Sequence, residues 1–135
     1  MGKRYSLPGK ERDAVIERIR KTLEERGVVF AVVFGGALDK AAFHGIDVGV
    51  YAGFEADSVS FALYAEELSA KLTRVAGIPV DVVILNHAPM WLRYRALKGV
   101  VIVDRDPVLR VSLKLAAIDN ILLKARRWEE TRQLD

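Results

Sequence analysis

Seven consecutive residues, Val28-Val29-Phe30-Ala31-Val32-Val33-Phe34, are β-branched, aromatic or alanine, and Gly35-Gly36 ends the run. A short apolar stretch without polar alternation suits a strand covered on both faces. Such a strand belongs inside a sheet that helices cover. The residues before it offer one cover: from Lys10 to Arg26, Val15, Ile16, Ile19 and Leu23 recur at helical spacing between charges, and Gly27 stops the pattern.

The rest of the chain alternates in the same way. A short segment, Ala37 to His44, leads to the strand pattern Ile46-Asp47-Val48-Gly49-Val50-Tyr51. Asp57 or Ser58 then caps a helix carrying Phe61, Ala65, Leu68, Leu72 and Val75, closed by Gly77. Pro79 starts a third run, Val80-Asp81-Val82-Val83-Ile84-Leu85. Asn86 to Lys98 reads as a short helix with Pro89 in its first turn and Gly99 at its end, followed by a strand from Val100 to Val103. Asp106-Pro107 is a cap-plus-first-turn signal for a last helix reaching about Glu130.

This order predicts an α/β (α+β) fold, a small mixed sheet of about four strands flanked by helices. The turn after Phe34 is too short for a full crossover helix, so the first two strands can pair in either direction. The 135 residues contain no repeat, low-complexity stretch or linker, and one domain over 1–135 is expected.

Composition removes several kinds of chemistry. Cysteine is absent, which excludes disulfides, thiolate catalysis and Cys-based zinc sites. The two histidines, His44 and His87, are too few for a His-rich metal cluster. No apolar run reaches the roughly 18 residues that span a bilayer, and Met1-Gly2-Lys3-Arg4-Tyr5 leads into charge, so a cytoplasmic protein is expected. A net charge of +3 fits a mildly basic protein without requiring a nucleic-acid partner. One Gln and two Asn beside abundant Arg, Glu and Val resemble a thermophile's avoidance of labile amides.

The chemistry that remains centres on two acids. An ionised carboxylate within an apolar strand is costly unless it is paired, hydrogen-bonded or bound to a metal, and Asp47 and Asp81 both have that problem. If their strands are neighbours, the carboxylates converge beside the Gly35-Gly36 turn. Mg²⁺ prefers carboxylate and phosphate oxygens, and glycine lets a phosphate approach the backbone. Taken singly, each acid has a plainer reading as a strand-end residue, and the glycines as a tight turn.

Phe34-Gly35-Gly36-Ala37, then Gly45-Ile46-Asp47-Val48-Gly49-Val50, then Val80-Asp81-Val82-Val83-Ile84-Leu85-Asn86 resembles the DNA polymerase beta-like nucleotidyltransferase superfamily, and within it the minimal, antitoxin-type members. Leu85 to Tyr94 is similar to the segment after the third acid of those proteins, and the likeness runs from about Ala31 to Pro107. The resemblance implies Mg²⁺ at Asp47 and Asp81, which would also be the catalytic acids. ATP or another nucleoside triphosphate would sit with its phosphates at Gly35 and Gly36. It also implies departures. Gly36 stands where the family has serine, Gly45 where it has the first acid of an Asp-x-Asp pair, and the loop between them is about two residues short. Asp39 or His44 is a candidate substitute for the missing acid, although a turn residue and a loop histidine are the simpler readings.

The last helix carries two apolar stripes: Val108, Val111, Leu115, Ile118 and Leu122 on one, and Leu109, Leu113, Ala117, Ile121 and Trp128 on the other. One can cover the sheet; the second is either buried by the domain itself or left as an interface. The resemblance implies an HEPN-domain toxin as partner, and a homo-oligomer is a further possibility. Lys124, Arg126 and Arg127 beside Trp128 are followed by Glu129 and Glu130, which reads as a solvated helix end rather than an RNA contact. Two functions are thus expected to compete. One is an antitoxin subunit with a degenerate site, and the other an active Mg²⁺-dependent enzyme moving AMP onto a protein hydroxyl. A nucleotide-sensing or RNA-associated module is a third.

Overall fold

All five side chains of Phe30–Phe34 are buried, as a strand with cover on both faces requires. The computed structural model describes residues 5–6, 9–36 and 42–133. The elements run β1 (Tyr5–Ser6), α1 (Gly9–Glu25), β2 (Phe30–Phe34), β3 (Ala42–Phe43), β4 (Ile46–Tyr51), α2 (Ser58–Ala76), β5 (Val80–Ile84), α3 (Met90–Leu97), β6 (Val100–Asp104) and α4 (Pro107–Gln133). The main sheet has the order β5-β4-β2-β6. β2 lies antiparallel to β4 and β6, whereas β4 and β5 are parallel. The sheet is therefore mixed, and the direction left open by the short turn is antiparallel. The parallel pair is joined through α2, the crossover that parallel strands need. A second, two-residue ladder joins β1 to β3. Strands of two residues carry no readable periodicity, so this ladder is visible only in the structure.

Each face of the sheet has its own core. Val15, Ile19 and Leu23 of α1 and Leu68 and Leu72 of α2 pack on Ala31, Val33, Ile46, Val48, Val50, Val80 and Val82. The opposite face, with Phe30, Val32 and Phe34, is covered by Leu92, Ala96 and Leu97 of α3 and by Leu109 and Leu113 of α4. Burial of each large aliphatic side chain contributes roughly 1.5–3 kcal/mol. α2 starts where the sequence indicates: Asp57 accepts a 2.7 Å hydrogen bond from the Ser60 amide, a cap worth about 1 kcal/mol. α3 is shorter than the expected 86–98 because Pro89 stands immediately before it and residues 86–87 form a turn.

The last helix settles the question of its two stripes. Leu109 and Leu113 pack inward and Ala117 is fully buried, while Val108, Val111, Leu115 and Leu122 remain exposed. Trp128, read on the same stripe as Leu109 and Leu113, is exposed, because α4 continues past the body it packs on. Among the described residues, no helix is long and apolar enough to cross a membrane.

Candidate functional site

Strand register brings the sequence's candidate residues together. Phe34, the last residue of β2, lies opposite Asp47 of β4, and Asp47 is the parallel partner of Asp81 on β5. Parallel partners point to the same face, about 4.8 Å apart across the ladder. Ile46, Val48, Val80 and Val82 belong to the α1/α2 core, so alternation directs both acids to the α3/α4 side. There Asp47 is half-buried and Asp81 exposed.

Gly35 closes this corner. Its backbone is left-handed, with φ of 83°, and a Cβ built on it would stand 2.5 Å from Oδ2 of Asp47. The turn is thus pressed against the carboxylate, and a side chain here would be strained in the left-handed backbone and would have to displace that oxygen. Gly36 follows at the partly exposed rim.

One cation attends the acids that the sequence reading did not single out. Arg95 of α3 places its guanidinium carbon 5.9 Å from the centre of the Phe34 ring, and its charge is felt at Asp47. The neighbouring Arg93 is used otherwise, donating to the carbonyls of Leu85 (2.9 Å) and Asn86. The two arginines, two positions apart, lie on different faces of α3, and which face meets the acids depends on how the helix is docked on the sheet.

Asp47 titrates above the ordinary carboxylate range. Burial is the largest cause and the charge of Asp81 the second, with Arg95 pulling the other way. A carboxyl whose folded pKa is raised favours the fold while protonated, below its unfolded value of roughly 4, and loses that contribution as pH rises through the folded pKa. Asp47→Asn is therefore expected to raise the melting temperature at pH 7 in the absence of divalent cations. The gain should shrink to nothing as pH falls below about 4. A melting series from pH 3 to pH 8 checks this, and an equal gain at every pH would contradict it.

The remaining candidates do not join the cluster. His44 is exposed, and among the described residues no group of three or more His, Cys, Asp or Glu side chains can hold a metal ion. Asp39 lies outside the described residues. At Gly45, where a first acid would stand, a Cβ would be 2.9 Å from the Pro79 carbonyl oxygen, which also accepts the Ile46 amide at 2.9 Å. The parallel ladder is drawn tight at the place a third carboxylate would need. Two carboxylates are a donor set that suits one Mg²⁺ completed by water and phosphate oxygens.

Asn86, also not singled out, is structural. Its buried amide accepts from the Ala52 N–H at 2.8 Å and donates to the Ala52 carbonyl at 3.0 Å, tying the ends of β4 and β5. A cleft of about 300 Å³ between Tyr51, Phe54 and Asn86 opens beside this tie, at the opposite end of β4 from the acids.

Residues 17–108 match the family model described as polymerase beta, nucleotidyltransferase. The chain belongs to this family. Its fold is shared by solved structures of low sequence identity. One is described as a tri-AMPylated Shewanella oneidensis HEPN toxin in complex with MNT antitoxin, at 19% identity and a TM-score of 0.67, covering 91% of this chain and 98% of that one. A toxin-antitoxin with AMP-PNP matches at 19% identity and a TM-score of 0.68, covering 88% and 97% of the two chains. The toxin-antitoxin MntA-HepT gives 18% and 0.59, with coverage of 94% and 98%. No curated protein matches the sequence.

Proposed function

We propose that this nucleotidyltransferase-family chain is a cytoplasmic antitoxin subunit that binds an HEPN-domain toxin through α4, with its transferase site reduced. The observation that carries the reading is the unpartnered apolar stripe Val108, Val111, Leu115 and Leu122. The fold it shares with the MNT antitoxin of an MNT–HEPN complex supports the choice of partner. The reduced site keeps Gly35 and Gly36 for the phosphates of ATP or another nucleoside triphosphate, and Asp47 and Asp81 for a single Mg²⁺. Bound there, the ion would neutralise phosphate charge.

The second reading, an active enzyme, is favoured by the convergence of Gly35, Asp47, Asp81 and Arg95. In it a protein hydroxyl attacks the α-phosphorus of ATP, its proton is released, and pyrophosphate leaves. One experiment separates the two. The chain is mixed with the HEPN protein from its own genome, Mg²⁺ and ATP labelled at the α-phosphate. The antitoxin reading expects a stable complex with little or no labelling, unaffected by Asp47→Asn. Strong labelling that Asp47→Asn abolishes would establish the enzyme, and separate monodisperse proteins would refute the antitoxin.

A further inference from the structure

β5 is an edge strand, yet α2 closes part of its edge. The β4 register turns Asp81 and Val83 toward β4 and leaves the amides of Val80, Val82 and Ile84 pointing outward. Two of the three are capped by hydroxyls one helical turn apart: Val80 N–H donates to Oγ1 of Thr73 at 2.9 Å, and Val82 N–H to Oγ of Ser69 at 2.9 Å. The next position one turn back along α2 is Ala65, which has no oxygen to offer Ile84. A groove of about 320 Å³ opens there, lined by Phe61, Ala62 and Ala65 of α2, Val83 of β5, and Ala88 and Leu92. An edge that is blocked with hydroxyls elsewhere is open here, where α2 presents the small side chains of Ala62 and Ala65.

We propose that this groove binds an extended apolar segment of a partner protein as a short parallel strand on β5. In parallel pairing, one residue placed opposite Val83 donates its N–H to the Val82 carbonyl and accepts from the Ile84 N–H. Those are the groups that Ser69 and Thr73 leave open, and the pairing can continue along the Ile84 carbonyl. An antiparallel strand would next require the Val82 N–H, which Ser69 already holds. The side chains of Ala62 and Ala65 give room for an apolar residue of the segment, while the His87–Glu55 pair at the rim is polar. The lining of the groove includes neither the acids nor the exposed stripe of α4, so the proposal does not depend on the antitoxin reading.

A pool of end-capped heptapeptides alternating apolar residues with threonine, titrated into the isotopically labelled full chain, tests the proposal. Saturable binding should move the Ile84 amide resonance. N-methylation of the bridging residue should remove it, because the side chains stay and only the donor is lost. Ala65→Ser supplies the missing hydroxyl, caps Ile84 and should weaken the same peptides roughly tenfold with an unchanged melting curve. Binding that survives both changes would mark a merely apolar cleft and overturn the proposal, as would no saturable binding up to millimolar peptide. Self-association that Ala65→Ser abolishes would assign the edge to a second copy of this chain and overturn it too.

Discussion

Restoring the family's first acid with Gly45→Asp is expected to destabilise the chain by about 2–3 kcal/mol and not to raise AMP transfer. The new Cβ would sit 2.9 Å from the Pro79 carbonyl oxygen, and that atom is backbone held in the β4–β5 ladder, so it cannot swing aside as a flexible side chain would. The ladder must open locally to admit it. The third carboxylate would also join Asp47 and Asp81, where Asp47 is already burdened by burial and by its neighbour's charge. Without a cation, three acids repel, and Arg95 offsets only part of that repulsion. A fall of roughly 10 °C in the melting temperature without metal is the expected reading, partly recovered by Mg²⁺. An unchanged melting temperature with strong Mg²⁺-dependent labelling of the HEPN partner would show that the backbone at Gly45 is no barrier.

The pair Val111→Asp and Leu115→Asp should abolish the proposed HEPN complex, weakening it at least about 100-fold, or roughly 2.7 kcal/mol. Both side chains lie on the exposed stripe of α4, Leu115 with 57% of its surface accessible and Val111 with 42%. Charges there cost the isolated fold little, because exposed positions away from special features shift stability by about 0.5 kcal/mol or less. In a helix-on-helix interface the same carboxylates would have to lose their water without a partner. Size-exclusion chromatography and titration calorimetry on the double variant check the loss. Retained affinity would move the interface elsewhere on the molecule. Substituting the inward pair Leu109 and Leu113 is not an equivalent test, since those side chains hold α4 to the body.

Much of the fold was legible in local pattern. The buried run at Phe30–Phe34, the strand at Ile46–Tyr51 and the cap at Asp57 appear where their residues indicate. Asp47, Asp81 and Gly35 were also legible as candidates, since a charge within an apolar strand and a glycine turn after one both stand out against their surroundings. Arg95 was not, because a surface arginine on a short helix looks like any other until the strand opposite it is known. Nor was the β5 edge, where the caps from Ser69 and Thr73 depend on how α2 lies along the strand.

By itself, the sequence determined which segments become strand or helix and which side chains are chemically unusual, because periodicity, capping and the cost of a charge in apolar company all act over a few neighbouring residues. Tertiary structure alone decided that β2 and β4 run antiparallel, that Asp47 stands beside Asp81 against Gly35, and that Gly45 is pressed to Pro79. It also chose which stripe of α4 stays exposed. Both stripes have helical periodicity, and only the packing of α4 against α3 and the sheet turns Leu109, Leu113 and Ala117 inward while leaving Val108, Val111, Leu115 and Leu122 exposed. Such choices join residues far apart in the chain, and their energies arise only when the surfaces meet.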